Sequence, residues 1–240
     1  MDTPAPATAA AQAQAPAPSP AVTAVVNARF CAPEPTAFAV ARTIGYTERD
    51  YTVTDAAGAA VMKVEAAAFA FLLSKKSLLL DAARRPVLTM QDSGYLMGSR
   101  WAVFRGDSTS RRNLLFTVVK SSVIQVRTKI YVFLAGNAGE EAPDFVIRGS
   151  YYDGACTVSP GNSDATIAQA SVIFLQLLEH AVLFFTEFLL DLTFELIMQI
   201  TRRNTAQMHG FGRNIYTARI NPGIDRAFIF ALTVILDEMH

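Results

Sequence analysis

From about Arg42 to Gln169 the chain alternates apolar and polar residues in short runs, each closed by turn chemistry. "YTVTDAAGAAVMKVEA" holds two alternating runs around Asp55-Ala-Ala-Gly58, a hairpin signature because Asp and Gly supply the turn and β-branched residues the strands. "KKSLLLDAARRPVLTMQD" turns at Asp81–Arg85 and "RWAVFRGDSTSRRNLLFTVVKSS" around Gly106–Arg112. "VIQVRTKIYVFLAG" alternates most cleanly. Val126, Thr128, Ile130, Val132 and Leu134 share one face, and Gln125, Arg127, Lys129, Tyr131 and Phe133 take the other. "DFVIRGSYYDGACTVSPG" adds two short strands around Asp153-Gly154. Evenly spaced strands without interleaved helices predict an antiparallel sheet curled into a barrel or sandwich.

Two segments depart from this pattern. Between Ala227 and Leu236 only Thr233 is polar, so a helix here has no face for water and must be buried all round. Ser171–Ile200, "SVIFLQLLEHAVLFFTEFLLDLTFELIMQI", is long enough to suggest a membrane span. It carries Glu179, His180, Glu187, Asp191 and Glu195, however. A carboxylate at the bilayer centre costs about 2.5–3.5 kcal/mol even on the most permissive scale. Glu187, Asp191 and Glu195 recur every four residues, which on a helix makes one acidic stripe beside a broad apolar face. An amphipathic helix fits better than a span, and the acidic stripe disfavours an anionic lipid surface.

Composition narrows the function classes. The 240 residues are 51% hydrophobic and 18% charged, with 21 basic and 21 acidic side chains. That balance excludes general disorder and leaves no net field to attract nucleic acid. The first twenty residues are mostly Ala and Pro, without a basic region or an apolar core, so they predict a disordered tail and not a secretory signal. The tail is expected over residues 1–38 and a folded domain over 39–240. Cys31 and Cys156 have no metal-ligand spacing and are expected as reduced thiols in a cytosolic protein.

The blocks "GSRWAVFRGDS", "LLFTVVKSSVIQVRTKIYVFLA", "DFVIRGSYYDGACTV", "GNSDATIAQ" and "INPGIDRAFIFALTVILDE" resemble, in order, the plant LURP-one-related family. The resemblance runs from about Ala39 to His240. It implies the tubby C-terminal fold, shared with phospholipid scramblases: a mainly β, closed antiparallel barrel of about twelve strands around a central apolar C-terminal helix. The terminal rod then fills the lumen over residues 225–239. At 1.5 Å per residue it is about 22 Å long, short of a roughly 30 Å hydrocarbon core. Asp225 is placed as its N-cap after Pro222-Gly223, and Ile229, Leu232 and Leu236 as core residues. Asp237 and Glu238 fall at the end of the helix dipole that repels anions. At least one is therefore expected to be held by a basic side chain or backbone N–H groups at the barrel mouth.

In the family the "IAQ" strand leads directly into a short basic hairpin. Here that continuation resumes only at "ITRRNTAQMHGFGRNIYTARINPG", so residues 170–199 read as an apolar insertion between neighbouring strands. Translated intron sequence is the favoured account, because a sealed barrel has no room for so large an apolar segment. The other account is a real amphipathic helix, which would expose an apolar patch.

No catalytic constellation is visible. His180, His209 and His240 stand at no metal-ligand spacing from one another or from a cysteine. "GFGRNI" lacks a third glycine and a βα unit, and "GSYYDGAC" is not a nucleophile elbow. Cys156 has no basic neighbour to lower its pKa. "RGD" at Arg105–Asp107 reads as turn chemistry, with Gly106 allowing the turn and Asp107 capping it. A non-enzymatic domain without cofactor or metal is expected, cytoplasmic, with an unidentified partner in defence-related or signalling processes. Nucleic acid and a transmembrane span are not expected, and the oligomeric state is not legible. The alternative, implied by the resemblance to tubby-like proteins, is a module that tethers to the cytosolic face of the plasma membrane through a phosphoinositide headgroup. The cationic candidates for that site are Lys120, Arg127 and Lys129, with Lys75-Lys76 and Arg84-Arg85 bracketing another hairpin.

Overall fold

The computed structural model describes residues 23–43, 50–66, 75–93, 100–121, 128–150, 155–172 and 211–239. Strands β1 (Thr36–Thr43), β2 (Asp50–Thr54), β3 (Ala60–Ala66), β4 (Lys76–Asp81), β5 (Pro86–Asp92) and β6 (Arg100–Arg105) make the first half of the sheet. The second half is β7 (Leu114–Lys120), β8 (Thr128–Leu134), β9 (Phe145–Ser150), β10 (Ala155–Pro160), β11 (Ala168–Val172) and β12 (Phe211–Ile220), followed by helix α1 (Arg226–Glu238). Each strand pairs antiparallel with its sequence neighbours, and β1 closes on β12 from Thr36↔Ile220 to Thr43↔Phe211. The molecule is therefore a closed up-and-down barrel, which leaves no unpaired sheet edge.

The period-two pattern sets which face of each strand enters the lumen. Val40, Val53, Val64, Leu79, Leu88, Met90, Val103, Phe116, Val118, Ile130 and Val132 are all fully buried. Against them lies α1, with every residue from Ala227 to Glu238 buried. Phe230 meets Phe38 edge-on at 5.0 Å, and Phe228 is held between Phe116 and Phe145, each at 5.0 Å. Seven large apolar side chains of α1 leave water in this way, a gross gain on the order of 10–20 kcal/mol before conformational entropy. Ile229, Leu232 and Leu236 lie in that core.

Two hairpin turns use the residues that the sequence singles out. Gly58 has φ 81° after Asp55, whose carboxylate accepts from the backbone N–H of Ala57 and Ala59. Asp81 accepts in the same way from Ala83 and Arg85. At the β6–β7 turn Gly106 has φ 68°, but Asp107 does not act as the cap: the Ser108 hydroxyl accepts from the Ser110 N–H.

Two expected boundaries move. Strand β1 begins at Thr36, and residues 23–31 pack on the barrel end, with Val26 and Phe30 in the core. The tail expected over 1–38 therefore does not reach that boundary, because these two apolar side chains close the lumen beside α1. Strand β11 continues past Gln169 to Val172, pairing Ala170↔Ala218 and Ser171↔Thr217. The ladder thus extends into the segment expected to be inserted from Ala170. The remainder of that segment, its proposed helix, His180, His209, His240 and the Asp153-Gly154 turn lie outside the described residues.

Candidate functional site

The barrel has two mouths and an outer wall, and each gathers a different set of charges. At the mouth around the end of α1, the Tyr51 hydroxyl donates to Asp237 at 2.6 Å and to Glu238 at 3.2 Å. The Tyr216 hydroxyl also donates to Asp237. Arg42 reaches Asp237 at 3.6 Å and Glu238 at 3.2 Å, while Lys75 binds the Glu238 carboxylate at 3.2 Å and its backbone carbonyl at 3.3 Å. Two buried anions thus face two cations, and Lys75 caps a free carbonyl of the last turn. Burial, together with the adjacent carboxylates of Asp237 and Glu238, pushes the Tyr51 phenol far above its ordinary value. Both carboxylates and the tyrosine are committed to holding the helix end.

At the opposite mouth Asp225 is fully buried. Its carboxylate caps α1 by accepting from the Phe228 N–H at 3.2 Å, and also accepts from Val26 at 2.7 Å and Asn27 at 2.9 Å. This ties residues 23–31 to the helix. Burial raises its carboxyl against the lowering pull of those N–H donors. Beside it, burial and the Asp225 charge raise the Cys31 thiol, and burial raises Cys156. Neither sulfur has thiolate character, and the two are not bonded to each other.

The outer wall places the predicted cations differently from the sequence reading. Lys120 follows Phe116 and Val118 on the lumen side of β7 and ends at the mouth, whereas Lys129 alternates with buried Ile130 and projects outward from β8. They do not form one cluster, because a strand's parity separates them. Arg127 lies outside the described residues. Lys75, Arg84 and Arg85 are engaged with Glu238, Glu65 and Asp81 respectively.

In their place the register assembles a row that the sequence reading missed. Lys129 pairs directly with Arg148, Arg148 with Thr157, Thr157 with Gln169, and Gln169 with Arg219. At about 4.8 Å per strand this row spans about 19 Å across the wall. Lys129, Arg148, Gln169 and Arg219 are all exposed. Lys129 lies 5.4 Å over the Tyr131 ring, and among the described residues Arg148 has one acidic contact, the almost fully exposed Asp164 at 3.3 Å. Directly opposed like charges destabilise a strand pair, so Lys129↔Arg148 is an arrangement that folding does not favour. Parity in "DFVIRGS" marks Arg148 as outward, but only the register puts it beside Lys129.

Among the described residues no helix is long and apolar enough to cross a membrane. A family model described as LURP-one-related matches residues 36–187 and 184–237. Its two segments meet inside the apolar span expected as an insertion. In Arabidopsis thaliana, Protein LURP-one-related 15 is 34% identical over 217 residues, covering 90% of this chain and 85% of that protein. Protein LURP-one-related 10 is 32% identical, covering 90% and 96%. Protein LURP1 is 32% identical, covering 90% and 89%. The X-ray structure of an Arabidopsis thaliana protein superposes with a TM-score of 0.60 at 28% identity, covering 90% of this chain and 97% of that one. With the closed twelve-strand barrel and its single terminal helix matching a tubby-like fold, and a family match spanning most of the barrel, the chain belongs to the LURP-one-related family.

Proposed function

We propose that this chain is a non-enzymatic binding domain that captures an anionic partner on its outer wall, acting in defence-related or signalling processes as the family resemblance implies. The observation that carries this reading is the exposed, directly opposed Lys129–Arg148 pair, with Arg219 further along the same row. Such a pair loses stability in the free protein and regains it when an anion lies between the two side chains. The non-enzymatic part is supported by the filled lumen and by the commitment of Asp225, Asp237, Glu238 and Tyr51 to structural contacts.

A second reading, a phosphoinositide headgroup at the cytosolic membrane face, is favoured by the same pair, because neighbouring guanidinium and ammonium groups suit adjacent phosphates. Co-sedimentation with phosphatidylcholine vesicles, with and without phosphatidylinositol bisphosphate and across a salt series, tests it. Salt-sensitive binding lost in the Lys129→Glu, Arg148→Glu double variant supports the lipid reading. Absence of binding at low salt removes it and leaves an acidic protein surface, to be tested by pull-down with the same variant.

A further inference from the structure

The outer wall carries a further cation close to the Lys129–Arg148 pair that the row leaves out. Arg100 alternates with buried Trp101 and so faces outward from β6. It pairs with Val119, and Val119 with Tyr131, two residues beyond Lys129 on β8. At about 4.8 Å per strand and about 3.4 Å per residue, the Arg100 and Lys129 Cα atoms stand about 12 Å apart across the wall. Arg100 is not open, however. The connection between β8 and β9 folds back over the wall, and Glu140 near its tip takes the guanidinium in a bidentate pair. The Arg100 Nη1 donates to Oε2 at 3.1 Å and Nη2 to Oε1, while the Thr117 hydroxyl donates to Oε1 at 3.2 Å.

The base of this acidic strap is tied down independently of that pair. The Asp144 carboxylate accepts from the Leu134 N–H at 2.8 Å and from the Asn137 amide at 3.0 Å, and the same amide donates to the Ala142 carbonyl at 2.7 Å. The tip is held against its backbone preference. Glu140 has φ 50°, in the left-handed region that residues with a side chain disfavour. With side chains 38% and 31% exposed, the Arg100–Glu140 pair is open to a competing anion. The neighbouring Glu141 is exposed and forms no ion pair among the described residues.

We propose that Arg100 belongs to the anion-binding surface and that Glu140 occupies it as an internal competitor, displaced when an acidic polypeptide segment binds. The inference rests on the outer-wall reading and adds its regulation. The spread from Arg148 through Lys129 to Arg100 suits acidic side chains along a polypeptide better than the adjacent phosphates of one headgroup. Such a segment engages Lys129 and Arg148 first and then presents a further carboxylate to Arg100 at high local concentration. Release of Glu140 frees the tip from its left-handed backbone, which offsets part of the lost ion pair. A singly charged anion has no such foothold, so the strap selects for partners with several acidic groups. Affinity for every partner is lowered by the fraction of molecules in which the strap is closed.

Fluorescence anisotropy of a labelled decaglutamate peptide, titrated with the full chain at low salt, tests this. Glu140→Gln is expected to bind about three- to tenfold more tightly than the parent, and Glu141→Gln, which changes net charge equally, at most about twofold. Glu140→Gly removes the carboxylate and the backbone strain together and is expected to match Glu140→Gln. Glu140→Gln combined with Arg100→Gln restores the parent's net charge and is expected to fall back to within about twofold of the parent. Lys129→Glu with Arg148→Glu is expected to abolish binding with or without Glu140→Gln. If the parent binds through Lys129 and Arg148 but Glu140→Gln gains no more than Glu141→Gln, or its gain survives Arg100→Gln, the internal competitor is refuted and the outer-wall reading stands. If neither the parent nor Glu140→Gln binds the peptide at low salt, both fall. An equal Glu140→Gln gain with inositol trisphosphate in place of the peptide would overturn the polypeptide as occupant.

Discussion

Arg42→Met removes one guanidinium from the mouth that closes over the end of α1 while keeping the aliphatic stem. Asp237 and Glu238 have side chains only 2% exposed, and Arg42 reaches them at 3.6 Å and 3.2 Å. At an effective dielectric of about 20, a unit pair at 3.2 Å attracts by about 5 kcal/mol. Breaking a buried pair from one side costs about 3–5 kcal/mol, because the stranded charge stays buried. Arg42 is itself 30% exposed, so water follows the missing group and the expected loss sits at the lower end, about 3 kcal/mol. Lys75 contacts the same Glu238 but is 44% exposed. Its pairing is screened, and Lys75→Met is expected to cost about 1 kcal/mol or less. Adding Asp237→Asn to Arg42→Met removes the excess negative charge, leaving Glu238 with Lys75. The double variant is therefore expected to recover about 1–2 kcal/mol relative to the sum of its parts. Urea unfolding monitored by the single tryptophan, Trp101, which is 1% exposed, measures the parent, the three single variants including Asp237→Asn, and the double variant. An Arg42→Met protein within 0.5 kcal/mol of the parent would refute the reasoning, as would Lys75→Met costing as much or strict additivity in the double variant.

Ile229→Asp places an unpaired carboxylate in the lumen at a 1% exposed position. The expected loss of several kcal/mol rivals the whole stability of a domain; a monodisperse protein with native near-UV dichroism would sink the buried-helix assignment. A Cβ on Gly161 would stand 1.7 Å from the Pro143 carbonyl oxygen, whereas one on Gly136 meets nothing within 4 Å. Gly161→Ala is thus expected to lower stability by about 2–4 kcal/mol and Gly136→Ala to stay within about 0.5 kcal/mol, with equal urea midpoints as the contrary result. Because the folded Tyr51 phenol is raised by burial and by Asp237 and Glu238, above pH about 10 the unfolded chain releases a proton that the fold retains. Stability then falls with rising pH by up to about 1.4 kcal/mol per unit. Tyr51→Phe is expected to flatten that slope in urea midpoints taken between pH 9 and 11, and an unchanged slope would remove the linkage.

The fold was legible where burial leaves a period. Strand alternation survives because one face of each strand enters the lumen, as Leu79 and Leu88 or Ile130 and Val132 show. The helix stood out because a rod apolar on every side has no place but the centre. Its termini were legible for electrostatic reasons: Asp225 is a capping residue, and Asp237 and Glu238 oppose the dipole and so require partners. Which partners was not legible. Arg42 and Tyr51 meet Glu238 across 196 and 187 residues, and Lys75 across 163. No local pattern encodes a barrel closure of that reach. The start of the domain was misplaced for a related reason, since residues 23–31 insert two apolar side chains from irregular backbone and carry no repeat to read.

The candidate surface was only half legible, and the reason lies in what alternation encodes. Parity along one strand says that Lys129 points out and that Lys120, two steps beyond Val118 and four beyond Phe116, points in. It says nothing about which outward residue of the next strand stands opposite, because sliding a strand by two residues keeps every face and changes every neighbour. The Lys129–Arg148 contact exists only in the register Thr128↔Gly149 to Val132↔Phe145. Core residues tolerate that ambiguity because any apolar neighbour buries any other. A cation does not, since its neighbour decides whether it is neutralised, screened or left to attract an anion. Arg84 and Arg85 show the first outcome, with Glu65 and Asp81 beside them. Lys129, opposed by Arg148 whose one acidic contact among the described residues is the exposed Asp164, comes nearest the last. It is at such pairs, opposed to their own stability, that binding is to be sought on a barrel whose interior is already full.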